Sequence, residues 1–386
     1  MIDLADCAVA DDIRTAETLP AASFVDRDFL ARELDTVFRR AWLVVPEPAE
    51  RGDDAGRPLI DQLGARGSRV PIGLLGRPLY LQRGWDDDEL RAFPNTCTHA
   101  WFPLVPGPSR GPTLVCGQHG RRFDCAGRFV SQPGFGKDVP DFPRACDHLR
   151  ALPVTAWREL VFVRLGEAGP PLATTLADVD ATLVRFPDRL PRGETPGQVR
   201  DVAGNWKQHA WNFLDRFHIG YIHRAPGGLA DAVDLATYAT ELYPDAVLQW
   251  VYARDPADGF DPALLPERFR DPGGRRVFAL WWFVWPNLTL NYYPWGLSVN
   301  VYQPVPDRPD TTRFLWYHHV LDEAKHAERD RRWLSAQVDA EDVDALAQVR
   351  AGLRSGFAPR GRFAPGEEQA AHWFHHRVSR EVRDRI

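Results

Sequence analysis

Two short segments, Cys97-Thr-His99 and Cys116-Gly-Gln-His119, separated by sixteen residues, place the tightest limit on how this chain folds. Each carries one thiol and one imidazole, so a shared site needs two loops that close on each other. The surrounding sequence suits that demand. From about Ala41 to Leu165, short β-type runs (AWLVV, VPIGLL, PLYLQ, TLVCG, RRFDCAGRF, VTAWRELVFVRL) are separated by glycine and proline, the pattern of a small antiparallel sandwich or barrel. Gly117 and Gly120, with Pro106 and Pro108 between the motifs, suit tight turns whose N–H groups approach a bound group.

The ligand distribution separates two kinds of centre. Zinc modules commonly group their ligands as cysteine pairs or as C-x₂₋₄-C with H-x₃₋₅-H. One cysteine and one histidine per loop is instead the Rieske arrangement, a [2Fe–2S] cluster with one iron on Cys97 and Cys116 and the other on His99 and His119. The five cysteines, Cys7, Cys97, Cys116, Cys125 and Cys146, make an odd, sparse set that argues against a disulfide framework. Cys125 and Cys146 fit no ligand spacing and read as buried small hydrophobes.

Residues 1–40 read as a tail and a helix, with Phe29, Leu30, Leu34, Val37 and Phe38 at helical spacing. GEAGPP, Gly166 to Pro171, reads as a linker. The expected domains are therefore 1–40, packing on the third segment, 41–165, and 166–386. The last contains helical patterns near Thr174–Phe186, in Asn205–His223 and from Asp339, and strands FALWWFVW, LTLNYY and FLWYHHVL. A net charge of −6 arises from well-mixed acids and bases, so no basic face is available for nucleic acid. The N-terminal stretch lacks a leader pattern, and the most apolar run, Val277 to Leu290, is broken by Pro286 and Asn287. A cytoplasmic protein without a membrane span is expected.

In the third segment the stretch NWKQHAWNFLDRFHIGYIH holds Asp215, His218 and His223. On a helix Asp215 and His218 share a face, whereas His223 lies about 140° from His218, so both histidines reach one metal only if the helix breaks. Gly220 is where a break would be cheap. Taken alone, the stretch is equally a buried amphipathic helix with satisfied histidines.

Together, C-x-H, a gap and C-x-x-H, followed by N-W-K and D-x-x-H-x-x-x-x-H, resemble the terminal oxygenase (α) subunit of the Rieske non-haem iron oxygenases, from about Ala41 to the C-terminal helix. The resemblance implies an α+β fold: an antiparallel β Rieske domain plus a catalytic domain with a central antiparallel sheet flanked by helices, of the helix-grip or START-like kind. It implies that His218 and His223 bind a mononuclear Fe(II) with one carboxylate, leaving positions for O₂. Asp342 is the choice, from Glu341-Asp342 ahead of Val349 and Gly352, with Asp339, Glu341 and Asp344 as competitors at a solvated helix start. Asp215 would then link His218 to His119 of a neighbouring subunit, which implies a homotrimer; taken alone it is a salt-bridge partner for Arg216 or Lys207. The chain has neither GxGxxG nor a P-loop pattern, so electrons must come from a separate NAD(P)H-dependent reductase, with or without a ferredoxin.

Several positions depart from the family pattern. Ala100-Trp101 stands where relatives often carry Arg-Gly, Gly117-Gln118 replaces Pro-Tyr, and Trp211 and Phe217 replace a Glu and a Tyr near the histidine motif. A substrate pocket could draw on the aromatic strand residues between Trp281 and Trp295, with Trp282, Trp285, Leu290 and Tyr292 as the chosen set. Such a wall suits an arene by stacking or a quaternary ammonium by cation–π attraction. PNLTLNYYPWGLSVNVYQP resembles the branch that includes the choline and carnitine type, although that branch often has Glu where this chain has Asp215. Hydroxylation or oxidative demethylation of a small molecule is favoured over cis-dihydroxylation. A Rieske electron-transfer protein and a zinc-stabilised binding module are the readings from other classes.

Overall fold

The computed structural model describes residues 2–46, 57–136, 139–167, 169–191, 198–332 and 335–384, of which 329–332 and 335–337 are described by backbone alone. They form two compact units, Arg40–Gly169 and a second made of Met1–Arg39 with Pro170–Ile386. No helix among the described residues is long and apolar enough to cross a membrane.

The first unit is built from small antiparallel sheets. Leu90–Pro94, Arg77–Arg83, Ser68–Leu74 and Ser109–Arg110 pair in that order. Thr113–Val115, Arg122–Asp124 and Phe129–Ser131 make a second sheet, and Leu43–Val44, Leu160–Val163 and Val154–Trp157 a third. Tyr80, Phe93, Leu114 and Phe123 form a core that also encloses Cys97 and Cys116. The cysteines are thereby fixed from inside the unit, and the loops that carry them project from it.

The second unit is organised on one seven-stranded antiparallel sheet. Its strands are β1 (Gln198–Ala203), β2 (Ala239–Leu242), β3 (Ala246–Tyr252), β4 (Val277–Val284), β5 (Leu288–Tyr293), β6 (Gly296–Val305) and β7 (Arg308–Val320). Their order is β1-β7-β6-β5-β4-β3-β2, so every neighbouring pair except β1 and β7 is consecutive in the chain, with a long connection carrying 3₁₀ turns between β3 and β4. Strand β4, VFALWWFV, is buried along its whole length, which requires cover on both faces. Alternation then decides which side chains meet which layer. Leu248, Trp282, Leu290, Val299 and Tyr317 lie side by side across β3 to β7, forming an apolar row on one face. Phe283, on the other, meets Phe213 and the aromatic residues Trp373 and Phe374.

The helices of this unit include α1 (Arg27–Glu33), α2 (Trp206–Leu214), α3 (Ile219–Ile222), α4 (Ser335–Arg354) and α5 (Gln369–Arg383), with a further helix over Glu323–Arg332 ahead of α4 and shorter helices and turns elsewhere. α1 carries Phe29 and Leu30 of the predicted apolar face, with Leu34, Val37 and Phe38 in the π-helical turn Leu34–Phe38 that follows, and is capped by Asp26, which accepts from Phe29 N–H at 2.7 Å. The helical pattern near 174–186 resolves into two short helices, Leu172–Thr175 and Ala177–Thr182. α4 begins at Ser335 rather than at Asp339.

Candidate active site

Helix α2 starts where the sequence places a cap. Asn205 Oδ1 accepts from the Lys207 N–H at 3.0 Å, and Gln208 Oε1 accepts from the Asn205 N–H at 2.9 Å, a reciprocal capping box. Trp206 and Lys207 turn inward to Glu33 of α1: the indole N–H donates to Oε2 at 3.0 Å and the ammonium lies 2.7 Å from Oε1. The N-W-K motif is thus a capping and anchoring device for the helix that leads into the histidines.

The break falls at Asp215, not near Gly220. Asp215 takes an extended conformation, φ −91° and ψ 94°, and its Oδ1 accepts from Phe217 N–H at 2.8 Å. This local side-chain bond offers the backbone an alternative to the helix. A 3₁₀ turn over Arg216–His218 follows, then α3, with Gly220 inside it. The changed pitch brings His218 Nε2 to 3.1 Å from His223 Nε2. Asp342 Oδ1, from α4, lies 3.6 Å from the first and 3.2 Å from the second.

His218, His223 and Asp342 thus form a group with one donor atom each within reach of a single ion. Two features fit a cation there. Asp342 Oδ1 is buried without a hydrogen-bond partner, a costly state for an anionic oxygen unless a positive charge faces it. An ion about 2.1 Å from each atom would see them at angles of roughly 95–120°, three ligands on one side. The outer nitrogens are also placed. His223 Nδ1 lies 2.9 Å from Glu341 Oε2, and His218 Nδ1 lies 3.5 Å from Asp215 Oδ2. The Glu341 carboxylate at His223 Nδ1 favours the tautomer that leaves the Nε2 lone pair for a metal, while His218 Nδ1 makes no hydrogen bond and has Asp215 as its nearby carboxylate. Burial lowers the His223 pKa, but Asp342 and Glu341 outweigh it, so the pKa is raised.

Glu341, a competitor for the ligand position in the sequence, instead supports His223; its adjacency to Asp342 was the visible signal. Asp344 is exposed. The simple salt-bridge role for Asp215 is filled elsewhere, since Arg216 pairs with Glu367 at 2.6 Å and Lys207 with Glu33.

A cavity of ≈ 340 Å³ opens beside these residues and is lined by all three. The chosen pocket residues do not line it. Trp282, Leu290 and Tyr292 occupy the opposite face of the sheet, where Trp282 packs on Tyr243 and Tyr292 on Phe186. Trp285 follows β4 and packs between Trp373, Phe374 and the Arg377 guanidinium. The correction is a one-residue shift in facing, which a fully apolar strand conceals. The cavity wall is Trp281, Tyr293 and Trp295, with Tyr293 and Trp295 stacked at 5.4 Å and the Trp281 N–H donating to Tyr293 OH at 2.9 Å.

The loops of the first unit have matching backbones. Cys97 N–H donates to Phe102 C=O and Trp101 N–H to Cys97 C=O; Cys116 N–H donates to Arg121 C=O and Gly120 N–H to Cys116 C=O. The fifth residue of each loop is left-handed, at φ 71° for Gly120 and φ 58° for Trp101. Both cysteines are buried and both histidines exposed, with the imidazole rings 4.8 Å apart. Burial raises the Cys97 thiol pKa, so the thiolate needs a metal. Two buried thiols with two outward imidazoles fit a cluster with an inner, sulfur-bound and an outer, imidazole-bound iron. Buried Arg121 braces the loops, donating to Thr98 Oγ1 at 2.7 Å and pairing with Asp147 at 3.2 Å. Arg121 also donates to Gln132, whose Nε2 lies 3.2 Å from His99 Nδ1. Cys125 is buried as expected, whereas Cys146 is exposed.

A two-loop cysteine–histidine centre and a two-histidine, one-carboxylate group beside a cavity together define a Rieske-type non-haem iron oxygenase. The chain belongs to the ring-hydroxylating α-subunit family: residues 189–384 match "Ring hydroxylating alpha subunit (catalytic domain)" and residues 59–143 match "Rieske [2Fe-2S] domain". It is an oxidoreductase that incorporates O₂. Choline monooxygenase of Arabidopsis thaliana is 26% identical over 94% of this chain and 82% of that protein. The large oxygenase component of the naphthalene 1,2-dioxygenase system of Pseudomonas aeruginosa is 26% identical over 51% of this chain and 42% of that one. A solved quaternary ammonium Rieske monooxygenase shares the fold, with a TM-score of 0.74 at 20% identity over 99% of both chains. The family works with separate electron-transfer proteins on small molecules.

Proposed function

We propose that this oxygenase hydroxylates, or oxidatively demethylates, a small ammonium-bearing substrate in the cavity beside His218, His223 and Asp342. The observation that carries this reading is the cavity's lining. Besides Asp342, Glu341 and Asp215, the lining includes Asp258, Glu328 and Asp339, with one lysine, Lys325. The wall of Trp281, Tyr293 and Trp295 adds aromatic faces that attract cations. Cys97, His99, Cys116 and His119 would hold the [2Fe–2S] cluster, and His218, His223 and Asp342 the mononuclear iron. When bound, the two centres supply one-electron transfer and oxygen activation. The chain's own residues position them: Glu341 orients His223, the break at Asp215 sets the histidine spacing, and the aromatic wall shapes the space for substrate.

Asp215 would carry the link to His119 of the partner subunit in a homotrimer. Phe217, Tyr221 and Ile222 are exposed around Asp215, and Trp101 and Phe102 are exposed beside His99, so both ends of such a link lie in apolar surface suited to burial. A separate NAD(P)H-dependent reductase, with or without a ferredoxin, would deliver electrons. The test is product analysis with labelled O₂, a surrogate reductase and a panel of methylated ammonium compounds and aromatic acids. One labelled oxygen or released formaldehyde from an ammonium compound is expected. A cis-diol from an arene would replace this reading with aromatic dioxygenation.

A further inference from the structure

The face of the sheet that lines the cavity carries an unexpected row. Gln249, Trp281, Asn291, Ser298 and His318 stand side by side across β3, β4, β5, β6 and β7. The neighbouring row on the opposite face is apolar throughout, from Leu248 to Tyr317. A buried sheet face with two amides in it ordinarily satisfies them internally. Here it does not. Gln249 is 1% and Asn291 5% exposed, yet Gln249 Oε1 and Asn291 Oδ1 have no hydrogen-bond partner among the described residues.

The Gln249 amide has a fixed sense. Its Nε2 donates at 3.0 Å to the carbonyl of Phe213, which can only accept, so Oε1 is left as a buried, unpartnered acceptor on a residue that lines the cavity. That bond ties Gln249 to the end of α2, directly before Asp215 and the histidines. Asn291 Nδ2 donates to Thr289 Oγ1 at 3.4 Å, leaving its oxygen likewise unused. The two residues flank Trp281 in the row, about 10 Å apart along the two strand spacings. A ligand seated against them without a donor leaves these acceptors unpaired.

We infer that Gln249 and Asn291 determine specificity by reading a hydrogen-bond donor on the substrate, a hydroxyl or an ammonium N–H, beside the ring of Trp281. This rests on the cavity being the substrate site of an ammonium-oxidising enzyme. It adds that a permanently alkylated cation with no hydroxyl is discriminated against. A site built around such bonds rejects analogues lacking the donor far more strongly than a hydrophobic pocket rejects a missing methylene.

The experiment uses the full chain with its iron and cluster content verified, and follows tryptophan fluorescence during titration with two near-isosteric pairs. These are choline against ethyltrimethylammonium, and trimethylammonium against tetramethylammonium. The donor-bearing member should bind at least about tenfold more tightly in each pair. The ratio should fall towards one in Gln249→Met and in Asn291→Leu, each checked for an unchanged cluster spectrum. Equal affinities within the wild-type pairs, a ratio that survives in both variants, or no binding of any of the four probes would overturn the inference. Loss of the oxygenase reading would show separately, as a preparation lacking acid-labile sulfide or mononuclear iron.

Discussion

Replacing Glu33 by Leu tests whether the N-terminal helix anchors the helix that leads to the histidines. Glu33 and Lys207 are both 0% exposed and 2.7 Å apart. Burial raises the Glu33 pKa and lowers that of Lys207, each opposed by the partner's charge. Removing the carboxylate leaves the ammonium with the Ser23 carbonyl at 3.1 Å and the faces of Phe24, Phe29 and Trp206. It also strands the indole N–H of Trp206. Breaking a buried pair from one side costs about 3–5 kcal/mol, whereas replacing both members by apolar groups is often neutral. Glu33→Leu should therefore lower the melting temperature by roughly 6–10 °C for a unit of this size, and Glu33→Leu/Lys207→Met should recover most of it. Differential scanning calorimetry of the four proteins in the cycle reads this directly. A single variant that melts within about 2 °C of wild type would refute the argument that the charge pair is closed to solvent and holds α1 to α2.

Three further outcomes are expected. Asp215→Asn should leave the Rieske spectrum intact and reduce turnover by roughly 10–100-fold, as for other groups that orient a metal-bound histidine; wild-type rates would remove Asp215 from the electron path. Trp101→Gly should raise the melting temperature, since the left-handed position costs a non-glycine residue roughly 1–2 kcal/mol, and should weaken self-association in sedimentation because an exposed ring is lost. Stability should fall on acidification. His375 and His209 are held neutral by burial, with pKa values of about 3 and about 4 against an ordinary 6.5. The unfolded chain therefore takes up protons that the folded chain refuses. Their stabilisation is complete above pH 6.5, falls by about 2 kcal/mol for each histidine by pH 5, and is lost towards their folded pKa values. A melting temperature flat from pH 7 to pH 5 would contradict this.

The parts of the site that follow from short-range chemistry were legible in the sequence. Asn205 and Gln208 spell a capping box, and the paired C-x-H and C-x-x-H spacing specifies two matched loops. The carboxylate of the metal group was reachable only through the resemblance, because Asp342 lies on a helix far along the chain and its neighbours Asp339, Glu341 and Asp344 are chemically equivalent in sequence. The structure separates them by direction: Asp342 meets both Nε2 atoms, Glu341 meets Nδ1, and Asp344 meets solvent. The facing of β4 and β5 was not legible. VFALWWFV and LTLNYY are buried on both sides, so alternation gives no sign of which parity meets the cavity. The choice of Trp282 over Trp281 was consequently wrong by one position. The helix break was expected at the glycine, but Asp215, through its bond to Phe217, sets it.

His218, His223 and Asp342 are proposed to hold an iron distinct from the cluster proposed for Cys97, His99, Cys116 and His119. Iron and sulfide analysis of Asp342→Ala beside wild type, with absorption and electron paramagnetic resonance spectra of the reduced cluster, tests it most directly. Loss of the mononuclear iron alone is expected, with sulfide content and cluster signals unchanged. Unchanged iron content in the variant, or loss of cluster and mononuclear iron together, would contradict it.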